Sequence, residues 1–214
     1  MKHPHRFAKL TPLVLAGALM AGAAAAQPAP LPPVPAGPPS AAAPSPENLA
    51  LVQEIVAPAA PILDAAIAPV CAGGDAIGRA KDLPPERKAK AIAASQPICL
   101  RAIGRMKTAA IGAAAQAFTR EDLQAILEFS RSPEVVGVLV QIAASGPHPK
   151  PTDEQKAQLK DAVLRFIATP AGQDVKLRVK TFVALVMTTV LPQAKAAEAE
   201  VEAAACEAGG CPAA

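Results

Sequence analysis

Aromatic residues are scarce in this chain, which contains no Trp, no Tyr and only five Phe. Stacking platforms for single-stranded nucleic acid need aromatic rings, so the sequence offers little to build them from. Strands favour aromatic and β-branched side chains, whereas alanine has the highest intrinsic helix propensity. Apolar residues still make up 51% of the chain. The composition therefore predicts an all-α domain with an aliphatic, alanine-rich core.

An excess of charge is also missing once the N-terminal segment is set aside. The formal net charge is +3, and Lys2, Arg6 and Lys9 account for it, because residues 1–26 contain no acidic residue. Without these three, 18 of the 21 basic residues remain against 18 acidic ones. A basic surface of the kind that binds nucleic acid is therefore not expected.

The first 26 residues predict a cleavable signal peptide. Basic residues are followed by an uncharged apolar run over 10–26, and the alanines that precede Gln27 fit a cleavage site after Ala26. An uncleaved membrane anchor is the alternative, but the run is shorter than the about 20 apolar residues of a span. We expect the processed protein to be periplasmic or secreted from a Gram-negative-type bacterium and not to be an integral membrane protein.

Residues 27–46 form a proline-rich linker with nine prolines. Proline fixes φ and removes a backbone donor, so this segment is expected to avoid helix and sheet and to favour polyproline II. At about 3.1 Å per residue it would extend roughly 60 Å. A stalk that holds the domain away from its surroundings and a disordered lead-in both remain open as its role.

Four cysteines in an exported chain predict disulfide bonds. Three connectivities are possible, and we favour Cys71–Cys99 together with Cys206–Cys211. A helical hairpin would bring the first pair together, and two glycines between the second pair permit a tight turn. A metal site is disfavoured because two residues commonly separate paired cysteine ligands. Neither spacing here fits that pattern.

We expect a helical domain over 47–192 and an Ala/Glu-rich, helical tail over 193–214. The predicted fold is an irregular bundle of about five to seven helices. Helix starts are expected after Ser45, Thr119 and Thr152, whose side chains can cap free backbone amides. Pro58, Pro61 and Pro97 are expected to break or kink helices. Val183–Leu191 could be a strand by pattern alone, and its helical periodicity favours a buried helix.

Two segments of the domain share one sequence motif, which we call the phrase. Each has a helix cap, an amphipathic helix, a Phe three residues before Ser/Thr-Pro, and a second helix. In the first copy the phrase ends with Phe129 and Ser132-Pro133, and in the second with Phe166 and Thr169-Pro170. The repetition suggests a duplicated helical hairpin, in which the Phe rings would fill the helix junctions.

The stretch from Phe118 to Gly137 resembles the bacterial domain of unknown function 2059 family. That family combines an acidic helix start with a Phe-aromatic-x-Ser-Pro-x-Gly phrase. Here Ser130 stands at the aromatic position, while the second copy keeps a glycine near the end. The residues that carry the resemblance are Phe118, Glu121, Leu123, Phe129, Ser132, Pro133, Phe166, Thr169, Pro170 and Gly172. The resemblance implies an exported helical domain and no activity.

Residue clusters typical of catalysis are missing from the sequence. There is no nucleophile elbow and no phosphate-binding glycine loop, and His148 lies alone between prolines. Acidic pairs occur at helix starts, where the helix dipole accounts for them. We therefore expect no enzyme, no cofactor and no metal. The preferred function is a structural or protein-interaction module whose partner is an envelope protein. A carrier or chaperone for apolar ligands such as lipids, and a cell-envelope hydrolase, are the alternatives.

Overall fold

The computed structural model describes residues 43–72, 84–146 and 151–210, and these residues are helical with no β-strand. The all-α prediction is thereby confirmed. A 3₁₀ turn over Ala57–Ala59 follows the first helix, and a π turn over Cys206–Gly210 follows the last. The α-helices are α1 Pro46–Val56, α2 Ala60–Ala72, α3 Pro85–Ala117, α4 Arg120–Ser130, α5 Pro133–Ala143, α6 Asp153–Ile167 and α7 Pro170–Ala205.

Side-chain caps fix the starts of five of these helices. The capping hydroxyls belong to Ser45, Thr119, Ser132, Thr152 and Thr169. At α4 the cap is reciprocal, because Asp122 accepts from the backbone N–H of Thr119 at 2.8 Å while Thr119 accepts from that of Asp122. Thr152 and Gln155 form the same reciprocal cap, a capping box, at the start of α6. The helix starts predicted at Ser45, Thr119 and Thr152 are therefore confirmed.

The antiparallel helices α3 and α7 share the most extensive helix–helix contact of the bundle. At one end of this pair the predicted Cys71–Cys99 disulfide ties α2 to α3, with a Cα–Cα distance of 5.7 Å. Both cysteines are buried against small and aliphatic residues of α3 and α7, including Ala91, Ala194 and Val201. Alanines at these positions allow the helix backbones to approach closely.

A second core joins α1, the end of α3, α4 and the middle of α7. Its centre is the pair Phe118 and Phe182, whose ring centroids lie 5.7 Å apart, with Leu123 buried beside them. Asn48 of α1 donates from its side-chain amide to the carbonyls of Ala115 and Phe118. These two bonds attach α1 to the turn between α3 and α4.

Two predictions about α7 need correction. The boundary proposed at residue 193 is not a break, since α7 continues through Pro192 to Ala205. One face of residues 194–205 belongs to the core, because Ala194, Val201 and Ala205 pack in the cluster that contains the disulfide. The segment Val183–Leu191 is helical as preferred, but it is not a buried helix. Val183 and Met187 are about half exposed, since this part of α7 covers the core with one face only.

Proline has different effects in the described helices. Pro58 lies in the 3₁₀ turn that separates α1 from α2, so the predicted break is confirmed. Pro97 does not interrupt α3, which is a single helix of 33 residues. The signal peptide, linker residues 27–42 and His148 lie outside the described residues.

Candidate binding groove at the two helix junctions

An open groove of about 380 Å³ lies where the α4–α5 and α6–α7 junctions meet. We call it the junction groove. Its lining comes from both predicted hairpins and from no other helix. The lining residues are Ala125, Glu128, Phe129, Ser132, Glu134, Ala162, Arg165, Phe166, Thr169 and Ala171.

The two hairpins contribute equivalent positions to this lining. Phe129 and Phe166 are 37 residues apart, and the same offset relates Ala125 to Ala162 and Ser132 to Thr169. It also relates Glu128 to Arg165 and Glu134 to Ala171. All ten lining residues therefore form five equivalent pairs. The duplication suggested by the sequence therefore has a structural counterpart in the lining of the junction groove.

Phenylalanine rings form the apolar surface of the junction groove. Phe129 and Phe166 are stacked, with ring centroids 4.7 Å apart and planes inclined by 22°. Both rings are half-buried, so part of each remains open to the groove. Ala162 is buried beneath them, and Ala125 is half-buried. Small side chains next to the rings leave the space that a larger residue would fill.

Charged side chains form the rim. Arg165 of α6 donates a hydrogen bond to Glu134 of α5, which joins the two hairpins across the groove. This hydrogen bond, together with the negative charge of Glu134, raises the pKa of Arg165. Glu128 is exposed and has no ion pair with any residue of the described ranges.

The hydroxyl groups in the lining are engaged in holding the junctions together. Ser132 accepts from the backbone N–H of Val135, and Thr169 accepts from that of Gly172. The Thr169 hydroxyl also donates to the carbonyl oxygen of Phe166 at 2.7 Å. Hydroxyls in these roles fix the angle between consecutive helices rather than act as nucleophiles.

Gly172 allows the α6–α7 junction to close tightly. A Cβ atom at this position would lie 2.0 Å from the carbonyl oxygen of Phe166. The equivalent position in the first hairpin holds Val135, which is buried. The two junctions therefore differ in how closely their helices approach, and only the second needs a residue without a side chain.

The motif residues identified in the sequence divide into three groups. Four of them line the junction groove, namely Phe129, Ser132, Phe166 and Thr169. Phe118 and Leu123 lie in the core, while Glu121 is exposed in the first turn of α4. Pro133, Pro170 and Gly172 shape the junctions themselves.

Six groove residues were missed by the sequence analysis. They are Ala125, Glu128, Glu134, Ala162, Arg165 and Ala171. Each lies within five residues of its Phe, but none belongs to a motif of its own, so the sequence alone does not single them out. Two remaining predictions, the cleavage between Ala26 and Gln27 and the Cys206–Cys211 bond, depend on Ala26, Gln27 and Cys211, which are outside the described residues.

Comparison with known proteins identifies no relative. No protein-family description, no curated protein and no solved structure matches the chain. The resemblance to the domain of unknown function 2059 family remains a prediction. Within the described ranges, no helix is long and apolar enough to cross a membrane, and no group of three or more potential ligands could hold a metal ion.

Proposed function

We propose that the protein is an exported, non-catalytic protein-interaction module of the bacterial envelope, and that the junction groove is its binding site. The observation that carries this proposal is the paired lining of the groove. Five equivalent positions of two hairpins converge on one apolar surface with a charged rim. Apolar pockets with a few polar groups at their edge are the usual form of a binding site.

Exposed aliphatic side chains support a protein partner. Leu100 lies on α3, and the other large apolar residues exposed in the described ranges lie on the two hairpins. These are Val136, Val140, Leu164, Leu177, Val183 and Met187. Where such side chains form one contiguous patch, they commonly mark a site of association.

The polar groups of the groove suit binding better than hydrolysis. Ser132 and Thr169 are engaged as helix caps, and Glu134 is paired with Arg165. A nucleophile needs a base within hydrogen-bond reach that is free to take its proton. Among the described lining residues only Glu128 is a carboxylate without an ion pair, and no histidine accompanies it.

Photo-crosslinking in cells tests the proposal. A photoreactive amino acid replaces Glu128 at the rim, and in a matched protein it replaces Lys195, which is exposed on the distant part of α7. We expect a discrete crosslinked partner from position 128 and not from position 195. Equal labelling at both positions, or none at 128, would contradict the proposal.

A carrier of apolar ligands is the second candidate, favoured by the stacked rings in the groove. Titration with a fluorescent fatty acid separates the two. Saturable binding that is lost in a groove-filling variant would favour the carrier, and absence of saturable binding would leave the protein-interaction function.

A further inference from the structure

We propose that the junction groove binds the protein's own proline-rich segment, Pro30-Leu31-Pro32-Pro33-Val34-Pro35. This inference rests on the proposed function, since it assumes that the groove is a binding site, and it names an occupant that an envelope partner would have to displace. The segment contains two overlapping Pro-x-x-Pro units, from Pro30 to Pro33 and from Pro32 to Pro35.

The surface of the junction groove has the chemistry that such segments need. Proline-rich segments in the polyproline II conformation dock into grooves lined by aromatic rings. Phe129 and Phe166 form a stacked, half-buried pair that lines the groove, and the neighbouring lining positions include three alanines, Ala125, Ala162 and Ala171. Proline restricts φ in the free chain, so a proline-rich segment loses little backbone entropy on binding.

Donors at the rim match the acceptors of the segment. Polyproline II has no internal hydrogen bonds, and its carbonyl oxygens are free to accept. Arg165 carries five N–H donors, more than its hydrogen bond to Glu134 uses. The segment itself is uncharged, so it adds no charge to the rim, where Glu134 is already neutralised by Arg165.

The chain is long enough to bring the segment to the groove. Glu47 at the start of α1 pairs with Arg120 at the start of α4, and Glu54 pairs with Arg131 just beyond the end of α4. The two helices therefore run side by side in the same direction. Residue 45 lies near the first turn of α4, and Phe129 is about 14 Å further along that helix. Nine residues, the number in 36–44, can reach about 28 Å at about 3.1 Å per residue, about twice this rise along the helix.

Because the proline-rich segment is attached to the domain, its binding to the groove of the same chain is favoured. A short tether gives an effective concentration on the order of millimolar, at which a weak proline-rich contact is populated. A partner would then compete with an internal ligand, so access to the groove would depend on the partner's own affinity.

Selective labelling of phenylalanine gives a direct test on the processed, full-length protein. Only four phenylalanines lie outside the signal peptide, and two of them line the groove. The other pair, Phe118 and Phe182, lies in the core and serves as an internal control. The test variant replaces Pro30, Pro32, Pro33 and Pro35 by Ala, and the control variant replaces Pro38 and Pro39 by Ala.

We expect the ring signals of Phe129 and Phe166 to shift in the fourfold variant, while the control variant and the core rings keep their shifts. A peptide of residues 28–35 added to the fourfold variant should restore the original positions. Unchanged groove signals would overturn the proposal, and so would a shift of all four rings that the peptide does not reverse. Crosslinking from position 128 detects the partner independently of the internal contact. A negative result in the labelling experiment would therefore overturn the internal contact alone, and the crosslinking experiment would still test the proposed function.

Discussion

Gly172 shows how one residue sets the geometry of the site. Its missing side chain lets the first turn of α7 lie against the backbone of Phe166, which is one of the two groove rings. The obstacle to a Cβ here is backbone rather than a flexible side chain, so it cannot move aside without moving a helix. Gly137 in α5 is different, because nothing lies within 4 Å of the position a Cβ would take.

Replacing these two glycines by alanine should therefore have opposite effects. Gly172→Ala should lower the free energy of unfolding by about 1–3 kcal/mol, as overpacking does. Gly137→Ala should raise it by about 0.5–1 kcal/mol, because alanine favours helix and the site has room. Urea denaturation of both variants measures the change, and a neutral Gly172→Ala would contradict the close approach.

At the scale of helices, the caps and breaks were predictable and the meeting of the two hairpins was not. Thr119, Thr152 and Pro133 act locally, so the sequence around each is sufficient to place a helix end. The contact between Phe129 and Phe166 depends on how α5 and α6 pack, which no local pattern encodes. The two copies match at their junctions and not at their first caps, because α6 has 15 residues and α4 has 11, a difference of about one turn.

The solvent exposure of residues along α7 could not be predicted from the sequence either. Val183 and Met187 belong to an apolar run that suggested burial, yet a helix at the edge of a bundle covers its neighbours with one face only. The six missed groove residues are alanines and charged residues without a motif of their own. Their role follows only from their position beside the two rings.

A double-mutant cycle tests the contact between the hairpins. Phe129→Leu and Phe166→Leu should show a coupling energy of about 0.5–1.5 kcal/mol, the range for aromatic pairs in contact. The pair Phe129→Leu and Phe182→Leu is the control and should be additive, because Phe182 contacts Phe118 instead. Denaturation of the single and double variants gives both values. Additivity of the first pair would mean that the rings do not stack.

At the scale of the whole molecule, the disulfide and the groove lie in different parts of the bundle. Cys71 and Cys99 pack beside the C-terminal part of α7, while the groove lies next to its first turn. Stability and binding should therefore be separable. The crosslink closes a loop between residues 28 positions apart and restricts the unfolded chain.

Replacing Cys71 and Cys99 by Ala should lower the free energy of unfolding by about 3–4 kcal/mol, from the loss of loop closure. Cys206 and Cys211 stay unchanged in this variant. Guanidinium denaturation without reductant measures the loss, and crosslinking from position 128 should persist under native conditions. A loss below about 1 kcal/mol would show that the bond contributes little to stability.

Filling the junction groove and measuring partner capture tests the proposed binding site most directly. Ala171→Phe places a third ring in the groove, and Ala199→Phe places the same ring on an exposed position in the distant part of α7. We predict that crosslinking from position 128 is lost in the first variant and kept in the second, with both proteins exported and folded. Capture that survives Ala171→Phe would show that the partner does not bind in the groove, and it would contradict the proposed role of the junction groove as the binding site.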